Sequence, residues 1–328
     1  MNKEEALLIQ KEISNADNIV LFLHLSPDGD SIGSNIAFKY YLESLGKSAK
    51  ILTLDLPPQN LLDSINIDIA QFEVIDPYDF DFSSTDLVVT LDTAFADRVS
   101  RNPEILKKLK SLNLLNIDHH IVKEKMTDKN VVYPNKASTT VLVYEYFNLI
   151  NYRITSEIAS ALILGIYTDT ASFSNFNVDS YIFKIMQDLL AIGADYQKII
   201  ISINEKSPDY FKTVAALYTN LKYVPNQRFA YSFVSLEDRK KYGIDDNYTI
   251  IEIANLVKGI SGEYDFVVVF NEASQDYTKL SFRALKPNID VEKIALQFKG
   301  GGHKAASGAK IYASINHAIE TFLNNYSK

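Results

Sequence analysis

Hydrophobic and polar positions along this chain fall into two regimes. In the first half, short apolar runs alternate with longer stretches of helical period. NIVLFLHL (18–25) reads as a buried strand, SIGSNIAFKYYLESLG (31–46) as the helix after it, stopping at Gly46, and SAKILTLD (48–55) as a second strand. DLVVTLD (86–92) and LNLLNID (112–118) add two strands, and IASALILGIYTDT (158–170) a helix or helix-like segment. Strands alternating with helices predict a parallel sheet covered on both faces. From 178 to about 222 the pattern is helical and reads as a hinge region. Beyond it RFAYSFVSL (228–236), YDFVVVFNEA (264–273) and YTKLSFRAL (277–285) read as strands, and VEKIALQF (291–298) and INHAIETFLNNY (315–326) as helices. The expected architecture is α/β in two domains with a cleft between them. A larger parallel-sheet domain spans 1–190, a helical linker 191–214, and a smaller α/β domain 215–328.

Composition narrows the function. A length of 328 residues suits two domains, and 47% hydrophobic with 23% charged residues is ordinary for a globular chain. There is no run of 18 uncharged apolar residues, so a membrane span is not expected. The first 20 residues are acidic and read as a helix rather than a signal peptide. Cysteine is absent, which fits a cytoplasmic location and leaves only nitrogen and oxygen to hold any metal. A net charge of −8 argues against coating duplex DNA, while a local basic pocket for a short anionic ligand stays open.

Four segments place acids or histidines at the ends of apolar elements. They are HLSPDGD (His24, Asp28, Asp30), VTLDT (Asp92), NIDHH (Asp118, His119, His120) and IYTDT (Asp169). Alone, Asp28-Gly29-Asp30 is a turn signal, and Asp92 or Asp169 a cap. Together they predict a cluster at one sheet edge, where ligands of open α/β sheets bind. Two carboxylates about 4 Å apart repel by roughly 4 kcal/mol at an effective dielectric of about 20, and divalent cations are the simplest neutraliser. Asp and His without Cys suit Mn²⁺ first, with Mg²⁺, Co²⁺, Fe²⁺ and Zn²⁺ as alternatives. The ligand count exceeds one ion's needs, and two ions bridged by one carboxylate would use them all, the usual clamp for displacement at phosphorus. His317, on a helical pattern, reads as a surface residue.

FKGGGHKAASG (298–308) joins the most flexible backbone of the chain to another histidine. Gly300, Gly301 and Gly302 can turn backbone N–H groups toward a phosphate, His303 can add a donor or charge, and Ala305, Ala306, Ser307 and Gly308 keep the walls thin. Arg283 is a second candidate phosphate contact, weighed evenly against a plain surface arginine.

These segments resemble the four motifs of the DHH phosphoesterase superfamily, and SFRALKPNIDVEKIALQFKGGGHKAASG resembles its associated C-terminal domain. Within it the short two-domain chain is similar to the nanoRNase/pAp-phosphatase group. The resemblance implies hydrolysis of very short oligonucleotides to mononucleotides and removal of the 3′-phosphate from adenosine 3′,5′-bisphosphate (pAp), with two Mn²⁺ ions. It implies His24, Asp28 and Asp92 on one ion, and Asp30, Asp92, His119 and Asp169 on the other, with Asp92 bridging. Asp118 would orient a histidine, and His120 would contact the scissile phosphate. Arg98, Arg283, Gly300, Gly301, Gly302 and His303 would bind substrate. A homodimer is compatible with this reading. One departure stands out: the group commonly has Asp-Thr-Gly where this chain has Asp169-Thr170-Ala171, and alanine resists the backbone angles glycine adopts. Rivals are a phosphodiesterase of linear or cyclic di-adenylate and a non-catalytic nucleotide-binding module.

Overall fold

The computed structural model describes residues 1–93, 95–121, 125–246, 248–250, 253–260 and 262–326. They form two compact units, residues 1–205 and 206–328.

In the first unit the strands are β1 (Asn18–Phe22), β2 (Ser48–Thr53), β3 (Phe72–Val74), β4 (Leu87–Leu91), β5 (Leu114–Asp118) and β6 (Asn130–Val132). The helices are α1 (Lys3–Ser14), α2 (Gly29–Ser44), α3 (Gln59–Ser64), α4 (Ile105–Lys110), α5 (Thr139–Leu149), α6 (Ser156–Asp169), α7 (Ser180–Ile192) and α8 (Tyr196–Asn204). The sheet is parallel throughout, in the order β3-β2-β1-β4-β5-β6. Side chains alternate across it as a pleated strand requires. Ile19 and Leu21 enter the core shared with Ile36, Val141 and Leu162, and Val20 and Phe22 enter a second core with Phe82, Val99 and Leu109. Strand order reverses at β1 and β4, so the loops leaving their carboxyl ends diverge from one crevice, where open α/β sheets bind ligands.

The expected strands and the helices on both faces are present, with differences at their ends. The first apolar run stops as a strand at Phe22, so His24 lies in the loop beyond it. Segment 158–170 is the helix α6, as its pattern reads, and Asp169 closes it. Gly46 follows α2 at φ +76°, the left-handed stop its sequence implies. At the Asp-Thr-Ala departure, Ala171 has φ +46°, followed by Ser172 at +58° and Phe173 at +64°. The turn therefore keeps the left-handed geometry natural to glycine, at a cost of about 1–2 kcal/mol for each such residue.

Helix α2 is buried almost all round. It packs most extensively on α6, and glycines set that approach. A methyl group at Gly33 would stand 2.2 Å from the Ala161 carbonyl oxygen, and one at Gly165 would stand 2.6 Å from Asp30 Oδ1. The start of α2 and the end of α6 are thereby drawn together.

The second unit contains α9 (Pro208–Thr219), β7 (Lys222–Val224), β8 (Phe229–Val234), α10 (Leu236–Tyr242), β9 (Phe266–Ser274), β10 (Tyr277–Ala284), α11 (Val291–Gln297), β11 (Gly301–Gly302), β12 (Ala306–Ile311) and α12 (Ile315–Asn325). Its sheet runs β11-β12-β10-β9-β8-β7, antiparallel except between β8 and β9. Phe322 of α12 anchors an aromatic core, with ring centroids 5.0–5.8 Å from Phe298, Phe229, Phe270 and Phe282. Of the small residues after the glycines, read from sequence as walls, Ala306, Ser307 and Gly308 open strand β12. Ala-Ser-Gly-Ala carries no β-branched signal, and its pairing with β10 is what defines it. Among the described residues no helix is long and apolar enough to cross a membrane.

Gly33→Ala is expected to destabilise the protein by about 1–3 kcal/mol in urea unfolding, because the clash is with main chain that cannot rotate away. Gly259→Ala, where a methyl group meets nothing within 4 Å, is expected to stay within about 0.5 kcal/mol.

Candidate metal centre

The site is assembled from element ends. His24 follows β1, Asp28 caps α2, Asp30 lies in its first turn, Asp92 follows β4, Asp118 ends β5 ahead of His119 and His120, and Asp169 ends α6. These acids and histidines fall into three overlapping groups of potential ligand atoms, each within 4.8 Å. They are His24, Asp28 and Asp92; Asp30, His119 and Asp169; and Asp92, Asp118, His119 and His120.

Asp92 lies at the centre. It is 1% exposed and held at φ +59°, a left-handed angle that aspartate tolerates better than most residues. Its Oδ2 is 3.3 Å from His24 Nε2, and its Oδ1 is 3.5 Å from His119 Nε2 and 3.4 Å from His120 Nδ1. One carboxylate thus turns a separate oxygen to each buried histidine.

Both histidines are fixed with Nε2 inward. His24 Nδ1 lies 2.8 Å from the Leu25 carbonyl oxygen and His119 Nδ1 3.2 Å from that of Lys136. Donation from Nδ1 to a carbonyl leaves Nε2 as the lone-pair nitrogen, the tautomer a metal ligand needs. Each Nε2 is buried without a hydrogen-bond partner. Carboxylate oxygens crowd them instead: Asp28 Oδ2 at 3.4 Å from His24, and Asp169 Oδ2 at 3.0 Å and Asp30 Oδ2 at 3.8 Å from His119.

The acids are seated differently. Asp28 Oδ1 accepts from the N–H groups of Asp30 and Ser31, capping its own helix. Asp30, fully buried, accepts from the Thr139 N–H at 2.6 Å, the Thr140 N–H at 2.9 Å and the Thr140 hydroxyl at 2.8 Å. The positive end of α5 thus faces this carboxylate. Asp169 has the opposite situation, a negative charge at the carboxyl end of α6. Asp118 Oδ1 accepts from the His120 N–H at 3.0 Å and pairs with its Nδ1 at 2.9 Å, while its Oδ2 is buried without a partner.

Electrostatics follow from this crowding. Burial raises the Asp30 carboxyl well above its usual range, and the charges of Asp92 and Asp169 add to it. Burial likewise raises Asp169, against its contact with His119. Asp92 goes the other way: burial opposes its charge, but His119 and His24 outweigh burial and hold it low. Burial would depress both imidazoles, yet the close carboxylates push His24 up to about 10 and His119 up to about 11. Without a cation, protons on the imidazoles supply the missing positive charge. Two inward, unpartnered Nε2 atoms among four carboxylates, with no sulfur, fit divalent cations bound by nitrogen and oxygen.

The sequence pattern gives the supports no role, although Ala137-Ser138-Thr139-Thr140 is among the segments that carry the family resemblance. Thr139, Thr140 and the Lys136 carbonyl hold the acids and histidine in place; the signal for them is the Ser138 cap that starts α5. The phosphate candidates lie as follows. Arg98 is in a 3₁₀ turn whose carbonyl accepts the Leu25 N–H, beside the loop carrying His24. In the second unit Arg283 is on β10, hydrogen-bonded to Asn255 and in register with Ala306 of β12. Gly300 gives its N–H to the Ala295 carbonyl, Gly301 and Gly302 pair with β12, and His303 gives its N–H to Ala306 in the turn that closes the hairpin. Side chains at Gly300 or Gly302 would collide with β12, whereas Gly301 opens to free space. His317 is exposed on α12.

Residues 18–166 match the DHH family, N-terminal domain, and residues 226–328 match the DHHA1 domain. Over 306 residues the chain is 26% identical to the bifunctional oligoribonuclease and PAP phosphatase NrnA of Thermus thermophilus, covering 93% of this chain and 88% of that one. It is 25% identical over 311 residues to the protein of the same description in Bacillus subtilis, covering 92% of each. Its fold matches that of an exopolyphosphatase-related protein from Bacteroides fragilis at a TM-score of 0.79 and 24% identity, over 99% of this chain and 96% of that one. The chain thus carries a DHH family N-terminal domain followed by a DHHA1 domain, in this order and together across most of its length.

Proposed function

We propose that this protein is a metal-dependent phosphoesterase that hydrolyses short oligoribonucleotides to mononucleotides and pAp to AMP and phosphate. The observation that carries it is Asp92, with one oxygen toward each of two inward-facing histidines. That arrangement suits two cations sharing a carboxylate, one with His24 and Asp28, the other with Asp30, His119 and Asp169. Mn²⁺ suits the donor set first, with Mg²⁺ or Co²⁺ as substitutes. The names of the Thermus and Bacillus relatives support the choice of substrates.

Divalent cations held by these residues would supply Lewis acidity and lower the pKa of bound water. The chain's own residues position and neutralise. His120, more exposed than its neighbours and tied at Nδ1 to Asp118, keeps Nε2 for a phosphoryl oxygen of the substrate. Donating there requires the imidazolium, whose charge Asp118 balances on one side and the phosphate on the other. Asp118 acts through His120, fixing its ring as paired histidines require. In the second unit Arg283, Gly301, Gly302 and His303 are the candidate contacts for nucleotide phosphate, and in the first unit Arg98 is another.

The decisive test is a turnover panel of pAp, pApA, cyclic di-AMP, a five-nucleotide RNA and pyrophosphate, each with Mn²⁺ and with Mg²⁺. Mn²⁺-dependent release of AMP from pAp and of mononucleotides from pApA is expected. Activity confined to cyclic di-AMP or pyrophosphate overturns the substrate assignment, and tight pAp binding without turnover indicates a binding module.

Asp92→Asn is expected to lower turnover by at least about 10³-fold with an unchanged circular dichroism spectrum, since both ions lose a shared charge. A near-normal rate removes Asp92 from the bridging position.

Metal loading has a defined pH dependence. In the ion-free protein His24 and His119 keep their protons up to about 10 and 11, so a cation must displace them throughout the neutral range. Mn²⁺ affinity should therefore rise with pH from about 6 to about 9. Calorimetry in buffers of different ionisation enthalpy should record release of protons as Mn²⁺ binds. Binding that is flat with pH and releases no protons would falsify this account.

A further inference from the structure

One pocket of the second unit is basic. It has a volume of about 740 Å³ and is lined on the β10 side by Tyr277, Lys279 and Ser281, and on the β12 side by Gly308 and Lys310, with Lys299 and Gly301 at its edge. Three lysines and no carboxylate line it, in a chain whose net charge is −8.

The pleat explains the pocket. Leu280 and Phe282 of β10 point into the aromatic core, so Lys279, Ser281 and Arg283 share the opposite face. Their register partners on β12 are Lys310, Gly308 and Ala306. Lys279 and Lys310 therefore stand directly across from each other, a like-charge pairing that destabilises a sheet. No carboxylate among the described residues pairs with either one. Lys310 instead sits 5.9 Å over the ring of Tyr277. Beyond the lysines, Tyr277 and Tyr312 stack with ring centroids 5.6 Å apart, and Tyr312 is 82% exposed. Between Arg283 and the lysines the floor is Ser281 and Gly308, with open space above Gly301. Arg283 to Lys279 is four strand residues, about 14 Å at about 3.4 Å each, a span longer than one nucleotide.

We infer that this face of β10 and β12 is a binding track for single-stranded oligonucleotide. Lys279 and Lys310 take a backbone phosphate one or more nucleotides beyond Arg283, and the Tyr277–Tyr312 pair stacks a base. The inference rests on the nucleotide-phosphoesterase reading and extends it, making the second unit a reader of substrate length. Polyphosphate shares the charge complementarity, but it has nothing to place on an exposed tyrosine stack. Stacking on aromatic platforms beside basic residues is the recurrent means of holding single strands without sequence preference.

The test is fluorescence anisotropy with a 5′-labelled five-nucleotide RNA, in the absence of divalent cations so that binding is separated from turnover. Lys279→Gln/Lys310→Gln should weaken binding at least about tenfold and reduce the slope of log affinity against log salt by about 0.7 for each phosphate no longer neutralised. Tyr312→Ala should weaken binding about tenfold. Lys3→Gln/Lys11→Gln, which removes the same charge from exposed positions of α1, should change neither. Tripolyphosphate should compete poorly with the RNA. Equal affinities and salt slopes for the wild type and the double lysine variant overturn the track. An inert Tyr312→Ala together with strong tripolyphosphate competition replaces oligonucleotide by a bare polyanion. Hydrolysis of pAp with Mn²⁺, measured in parallel on the wild type, reports on the catalytic reading alone, so either can fail without the other.

Discussion

Repulsion among carboxylates that the main chain cannot separate is the constraint on which this structure turns. Asp30, Asp92 and Asp169 all lie within 3.8 Å of one imidazole nitrogen of His119. At an effective dielectric of about 20, each close pair of such charges costs roughly 4 kcal/mol. A flexible site would spread apart. This one cannot, because its acids are placed at the ends of packed elements and the crossing of α2 and α6 is fixed by glycines that admit no side chain. The fold offsets part of the strain locally. Asp30 is met by the amide end of α5, Asp28 by the amides of its own helix, and Asp92 by two imidazoles. Asp169, at the wrong end of a helix dipole, is met instead by the His119 imidazole at 3.0 Å.

The same logic explains why the acids and histidines are legible in the sequence and their supports are not. Polar residues abruptly ending apolar runs, as in VTLDT and NIDHH, are conspicuous because burial selects against them unless something compensates. The parallel sheet is legible for a related reason: strands buried on both faces are written as unbroken apolar runs. Thr139 and Thr140 carry no such mark. Serine and threonine at a helix start are ordinary caps, and only the folded chain reveals that their amides point at a buried carboxylate from a distant segment. Asp169 joins the other acids from a helix end, in a run long enough to read as helical in the sequence. The glycines of 300–302 are legible as a special backbone. Two of the three are there because β12 approaches too closely for a side chain, a pairing hidden in a strand of alanine, serine and glycine.

The two units hold local excesses of opposite sign, and the net charge of −8 conceals both. One crowds carboxylates around two imidazoles; the other opposes Lys279 to Lys310 across adjacent strands. Each arrangement lowers the stability of the free protein, and each is relieved further by a ligand of the opposite sign. Relief of repulsion already present then adds to ligand affinity, because the groups are ordered before the ligand arrives and little further conformational entropy is lost. It also discriminates. A neutral molecule of the right shape gains nothing from either site, and an anion is repelled by the first until cations have reversed its sign. At the first of these sites, binding of cation before phosphate is thus a consequence of where the charges sit.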